Sequence, residues 1–212
     1  IAYDGDADRA IWADEQGHIL NGDHTLYLLA LSFKEKARLK NNLVVATTMS
    51  NLGLEQSLAH NGIKLLRTRV GDKYVLEEMV KHQANLGGEQ SGHTILLDYA
   101  ATGDGLLTSL KLLELVVESG QSLSELVKGF QLYPQILINL RVKAKVPLRE
   151  IPGYNDLIED VEKELGPQGR LEVRYSGTEP LARIMIEGPD EDKLQPLARR
   201  IVNLIDSFCG QK

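Results

Sequence analysis

Cysteine is almost missing from these 212 residues: Cys209 stands alone. One thiol excludes an internal disulfide framework and supplies no metal-ligand spacing, so the expected compartment is a reducing one, the cytoplasm. Near the end of a terminal helical pattern, Cys209 reads as a small apolar residue. Long apolar runs are missing too. None approaches the ~18 residues that a membrane-spanning helix needs, and Ile1-Ala2-Tyr3-Asp4 is no signal peptide. A basic excess is also absent, since 24 Lys and Arg face 30 Asp and Glu for a net charge of -6. That balance repels nucleic acid and membrane surfaces on average, so neither is an expected partner. Any anion site must then be a local basic cluster acting against the overall field. Low-complexity stretches and repeats are absent.

What is there suits a folded globular chain: 42% apolar, 25% charged and 5% aromatic residues. The length allows one large core or two modest ones. The first residues read as mid-strand with no initiating methionine, so the chain is expected to be part of a longer protein.

From Gly22 to about Gln131 helical and extended periods alternate, the signature of a layered α/β unit. Helices are predicted over about 26–33, 50–61, 71–83 and 104–118, with strands at 43–46, 63–67, 86–88 and 94–97. Parallel strands joined by crossovers are the expected topology. In the helix at 104–118, Leu106, Leu107, Leu110, Leu113 and Val117 read as the buried face. Tyr133-Pro134 breaks the alternation. A long strand is predicted over 135–146, then a helix at 154–165, strands at 170–175 and 182–187, and a helix at 191–208. Pro196 should kink that last helix or mark its true start. The predicted fold class is therefore α/β, a layered αβα domain with a mixed or parallel sheet followed by a smaller α+β domain. The divisions are 1–21, the tail of a preceding domain; 22–133, the α/β domain; and 134–212.

Three stretches carry chemistry. Asp4-Gly5-Asp6-Ala7-Asp8-Arg9 sets three carboxylates at alternate positions, with small residues between them that let the backbone aim all three at one point. Two carboxylates ~4 Å apart repel by about 4 kcal/mol at an effective dielectric of about 20, so three converging acids call for a cation. An oxygen-only donor set suits Mg²⁺ or Ca²⁺ rather than zinc. The spacing overlaps an EF-hand through Asp4, Asp6, Asp8, Ile11 and Glu15, but Arg9 stands where that loop's sharp turn needs glycine. An aspartyl-phosphate phosphatase loop and a solvated acidic turn are the other readings.

Gly87-Gly88-Glu89-Gln90-Ser91-Gly92-His93 joins two extended segments, and its glycines let the backbone approach a ligand closely. Glu89 can accept from two adjacent hydroxyls, and Ser91 can donate and accept. Taken alone, the stretch is equally a solvated loop with a structural histidine. Arg174-Tyr175-Ser176-Gly177-Thr178-Glu179-Pro180 combines a planar cation, two hydroxyls and a flexible glycine between two strands, an anion cradle in outline. Arg183 on the following strand adds a second positive group. The alternative is a polar hairpin with an incidental arginine.

Together these stretches resemble the α-D-phosphohexomutases, in the family's order and across essentially the whole chain. Asp4 to Arg9 is similar to the family's DGDGDR metal loop, with Ala7 in place of the middle glycine. The resemblance implies that Asp4, Asp6 and Asp8 hold Mg²⁺ and that Arg9 faces the reacting phosphate. GEQSGH at 88–93 resembles the family's sugar-specificity loop, in the form found in the branch that acts on phosphorylated glucosamine. It implies that Glu89 and Ser91 grip ring hydroxyls and that His93 is a proton-transfer partner, a role its ordinary pKa near 6.5 suits. Met49 to Leu54 and Arg67 to Tyr74 resemble the same branch, and the lysine that the mannose/glucose branch carries near the first of these is not present. Arg174 to Gly188 is similar to RPSGTEPLIRVMVEG, which implies Arg174, Ser176, Gly177, Thr178 and Arg183 as phosphate ligands. Tyr175 replaces the usual proline and is expected to loosen that loop.

The activity implied is interconversion of glucosamine 6-phosphate and glucosamine 1-phosphate through an enzyme phosphoserine and a bisphosphate. Implied partners are a phosphorylated amino sugar and the missing N-terminal domains of the same chain, with a homodimer admitted. No serine here sits in a family-type active loop, because Ser91 and Ser176 belong to binding loops. These residues are therefore expected to bind without turning substrate over. A phosphomannomutase/phosphoglucomutase is the rival within the family, and a non-catalytic sugar-phosphate or calcium module the rival outside it.

Overall fold

The computed structural model describes residues 1–210. It divides into two compact units, Ile1–Leu132 and a second beginning at Tyr133.

In the first unit the acidic loop is framed by three short antiparallel strands, β1 (Ala2–Tyr3), β2 (Ala10–Ala13) and β3 (Ile19–Leu20). Helix α1 (Gly22–Glu35) follows, begun by Asn21, whose side chain accepts from Asp23 N while His24 accepts from the Asn21 N–H. Strand β4 (Leu43–Thr47) leads to α2 (Leu52–His60), and β5 (Lys64–Thr68) to α3 (Asp72–Lys81). Strands β6 (Leu86–Gly88) and β7 (Thr94–Leu96), then helices α4 (Gly105–Ser119) and α5 (Leu123–Leu126), complete the unit. The sheet runs β5-β4-β6-β7, with β4 parallel to both β5 and β6 and β7 antiparallel.

Side-chain alternation along β4 explains the layering. Val44 and Ala46 face the core built with α1, α2 and α4, whereas Val45 faces Val75 and Met79 of α3 on the other side. Each face of the sheet is thus covered, as the continuous apolar run in β4 requires.

Helix α4 corrects the predicted face in all but Leu107, which packs against the core. Leu106, Leu110, Leu113 and Val117 are 59, 65, 42 and 78% exposed, while Gly105, Thr108, Ser109 and Leu112 are buried. Apolar residues occur all round this helix, so its periodicity alone does not choose a side. The short α5 was not anticipated, and α2 begins at Leu52 rather than 50 because the Asn51 side chain caps it through Gly53 N at 2.8 Å.

The second unit is an antiparallel sheet in the order β8-β10-β9, from β8 (Gln135–Arg141), β9 (Arg170–Tyr175) and β10 (Leu181–Glu187). Helices α6 (Tyr154–Leu165) and α7 (Glu191–Cys209) complete it. Ala182, Ile184 and Ile186 of the central strand share a core with Leu194, Leu197, Ala198, Ile201 and Ile205 of α7. β8 stops at Arg141, short of the predicted 146, since Val142 bridges to Gly210 and the Lys143 N–H bonds Cys209 O. α7 starts at Glu191 and continues through Pro196, so the proline does not mark its start. Among the described residues no helix is long and apolar enough to cross a membrane.

Candidate active site

The acidic loop is a compact turn. Ala7 N donates to Asp4 O at 3.2 Å, and Arg9 N lies 3.3 Å from Asp4 Oδ1. The turn gathers Asp4, Asp6 and Asp8, each offering one carboxylate oxygen within 4.8 Å of the others. Arg9 lies across two of them, its Nε 3.5 Å from Asp4 Oδ2 and 3.7 Å from Asp8 Oδ1. Burial pushes the Asp8 carboxyl above its ordinary range; His93 pulls the other way, and Asp4 and Asp6 add repulsion. Asp8 Oδ1 is buried with no hydrogen-bond donor among the described residues. An unsatisfied carboxylate oxygen beside two more acids fits a hard cation, which answers all three at once.

Residues far away in sequence hold this loop. The Gly105 N–H at the start of α4 donates to Ala7 O at 2.9 Å, and Ala10 N to Gly92 O at 3.3 Å. Arg9 and His93 pair as an isolated bridge, which carries the His93 ring to the acids with Nε2 3.5 Å from Asp8 Oδ2. The ring is buried, and its Nδ1 has no partner among the described residues. A methyl group on Gly103 would sit 2.2 Å from His93 Nε2, so only glycine lets the chain pass over that ring. A methyl on Gly22 would likewise lie 2.0 Å from Glu89 O, where α1 begins against the 88–93 loop.

A cavity of about 580 Å³ opens beside the acids, within the usual size range of small-molecule sites. It brings together the predicted Arg9, Glu89 and Ser91 with Gln90, and adds Asn21, Thr47, Met49 and Val70. Glu89 is pre-oriented: the Gly71 N–H donates to its Oε1 at 3.0 Å, and Ser91 Oγ stands 3.5 Å from Oε2. Near the lining residue Met49, Arg67 of β5 ties down the turn before α2 by donating to Glu55 Oε2 at 3.0 Å, Ser50 O at 2.7 Å and Asn51 O at 3.3 Å. His93 is not among the lining residues.

Asn21, Thr47, Met49 and Val70 line the cavity without having been singled out as site residues in the sequence, although Met49 and Val70 fall in the stretches 49–54 and 67–74 that carry the family resemblance. A signal existed. Thr47, Met49, Val70 and Glu89 lie at or just after the carboxyl ends of β4, β5 and β6, where open α/β sheets place their ligands.

In the second unit, Arg174 and Arg183 stand directly opposite each other on β9 and β10, on the face away from the buried Ala182 and Ile184. Like charges in direct cross-strand register repel. Each is partly answered by an acid: Arg174 Nε is 3.8 Å from Glu172 Oε1, and Arg183 Nη2 is 2.8 Å from Glu179 Oε2. Arg183 Nε has no hydrogen-bond partner among the described residues. Between the strands, Ser176 N donates to Leu181 O at 2.8 Å, and Ser176 Oγ accepts from Glu179 N at 3.3 Å. Tyr175 does not hang loose: its hydroxyl donates to Val146 O at 2.7 Å, and burial raises its pKa to about 12.

Residues 21–133 match the model of the phosphoglucomutase/phosphomannomutase alpha/beta/alpha domain III, and residues 137–204 that of the same family's C-terminal domain. A phosphoglucosamine mutase of Koribacter versatilis is 51% identical over 99% of this chain and 46% of its own length. One from Bdellovibrio bacteriovorus is 50% identical over 97% of this chain and 45% of its own. The chain thus spans about half the length of the curated relatives it matches. Among solved structures, Aspergillus fumigatus N-acetylphosphoglucosamine mutase in complex with GlcNAc-6P and magnesium shares the fold. Its TM-score is 0.76 at 22% identity, over 95% of this chain and 51% of that one.

Proposed function

From the premise that this chain belongs to the phosphoglucomutase/phosphomannomutase family, we propose that it supplies the metal-, sugar- and phosphate-binding parts of a phosphoglucosamine mutase. The observation that carries the reading is the meeting of Arg9 with Glu89 and Ser91 around one cavity beside the Asp4, Asp6 and Asp8 cluster. The reaction is interconversion of glucosamine 6-phosphate and glucosamine 1-phosphate. Phosphoryl passes from an enzyme phosphoserine outside these residues to the free sugar hydroxyl, and the other phosphate of the resulting bisphosphate returns to serine.

Asp4, Asp6 and Asp8 would hold Mg²⁺, which when bound draws negative charge from the transferring phosphoryl group. Arg9 adds a fixed positive charge at the same place. Glu89 and Ser91 accept from and donate to ring hydroxyls, and Gly71 holds the Glu89 carboxylate in the orientation for doing so. His93, implied by resemblance as a proton-transfer partner, faces Asp8 and so acts on the reaction through that carboxylate. Arg174, Ser176, Gly177, Thr178 and Arg183 anchor the phosphate that is not reacting.

The family match for domain III begins at residue 21, which supports taking 1–21 as the tail of a preceding domain, 22–133 as the sugar-binding domain and 134–212 as the phosphate-binding one. The expected setting is the cytoplasm, with the relatives' additional domains as partners and a homodimer as a further arrangement. Calorimetric titration with glucosamine 6-phosphate tests the proposal. Glu89→Ala is expected to weaken binding at least about tenfold, the effect of leaving buried sugar hydroxyls unpaired. Affinity equal to wild type would remove Glu89 from the site, and tighter binding of mannose 6-phosphate would favour the mannose/glucose branch.

A further inference from the structure

Lys145 lies 29 positions before Arg174 in a segment without regular structure, and no motif includes it. Its ammonium donates to Ser176 O at 2.6 Å and lies 3.5 Å from Gly177 O. The segment carrying it is tied to the same loop by the Tyr175 hydroxyl, which donates to the neighbouring Val146 O at 2.7 Å. Lys145 therefore meets the carbonyl side of the 176–178 turn.

Peptide geometry gives that contact a consequence. The described peptide bonds are all trans, and in a trans peptide the C=O of one residue points opposite to the N–H of the next. With the carbonyls of Ser176 and Gly177 drawn toward Lys145, the N–H groups of Gly177 and Thr178 are turned to the far side. Among the described residues neither N–H has an acceptor, whereas those of Ser176 and Glu179 are bonded to Leu181 O and Ser176 Oγ. Two successive free N–H groups pointing one way form an anion-binding concavity.

We propose that Lys145 is a positioning residue for the phosphate cradle: from behind, it holds the turn with the Gly177 and Thr178 amides presented to an anion. The charge on Lys145 also opposes a flip of the turn, which would take both carbonyl dipoles away from the ammonium. This inference rests on the reading of 174–183 as a phosphate site and deepens it.

Inorganic phosphate titrated into the isotope-labelled 212-residue chain, followed by amide NMR, separates the two levels. In wild type the Gly177 and Thr178 amide protons are expected to move downfield and saturate. Lys145→Met is expected to weaken phosphate about three- to tenfold, the worth of one hydrogen bond of roughly 0.5–1.5 kcal/mol, and to shift those two amides before any phosphate is added. Lys145→Arg, which keeps a cationic donor, should restore most of the affinity. If Arg174→Ala weakens binding while Lys145→Met titrates like wild type, the cradle stands and the Lys145 assignment is overturned. If Lys145→Met weakens binding but leaves both free amides where they were, Lys145 acts only as a distant charge and the positioning role is overturned. If wild type shows no response at Gly177 and Thr178 and Arg174→Ala changes nothing, the phosphate-site reading itself fails.

Discussion

Ala7 holds the acidic loop at φ 59°, the only positive φ between residues 4 and 9. A Cβ in that left-handed region costs on the order of 1 kcal/mol, which glycine avoids. Ala7 stands where DGDGDR has its middle glycine, and the backbone there has the positive φ that makes the exchange matter. Ala7→Gly is expected to raise the unfolding free energy of the first unit by up to about 1 kcal/mol and to tighten divalent cation binding. Denaturant unfolding checks this, and a loss of stability would mean that the loop does not adopt this turn. His24 makes a second prediction at this scale. Burial lowers its pKa from 6.5 to about 4, and its ring packs on Phe130 with centroids 4.5 Å apart. Because the folded state resists protonation, stability is fully present above pH 6.5 and is lost as pH falls toward about 4. His24→Gln should flatten the fall in thermal midpoint across that window; an unchanged slope would show that other groups carry it.

At the scale of elements, strands were easier to read than helix faces. Val44, Val45 and Ala46 form a run buried on both sides, and such a run admits only a central strand. Helix α4 presents leucines and valines in every direction, so burial had to be decided by what surrounds it rather than by its own period. The difference is measurable. Leu112→Ala, at 1% exposure, is expected to cost about 2–5 kcal/mol, whereas Leu110→Ser, at 65% exposure, should change stability by no more than about 0.5 kcal/mol. The reverse ranking by chemical denaturation would restore the face read from periodicity. The candidate site follows the same division. Glu89 and Ser91 were legible because a short loop carried both. Met49 and Val70 were legible only as members of the resembling stretches 49–54 and 67–74, and Thr47 not at all, because each becomes a wall only where β4, β5 and β6 end side by side.

For the whole molecule, the order of the three motifs could be read along the chain, but the convergence of Arg9 with Glu89 required the Arg9–His93 bridge, a pairing across 84 positions that no local pattern encodes. The net charge of -6 makes the local picture sharper: the acids gather at one loop in the first unit, while two arginines face each other across strands in the second. Like-charge clusters of this kind are costly alone, and on the proposed reading a cation relieves the first and an anion the second. The most direct measurement is the thermal midpoint of the 212-residue chain against Mg²⁺ concentration, in wild type and in Asp6→Asn. Binding to the folded state alone should stabilise wild type by about 2.7 kcal/mol at a hundredfold excess over Kd, with a saturable rise in midpoint that Asp6→Asn largely removes. A flat wild-type curve, or an equal rise in Asp6→Asn, would contradict a cation held between Asp4, Asp6 and Asp8.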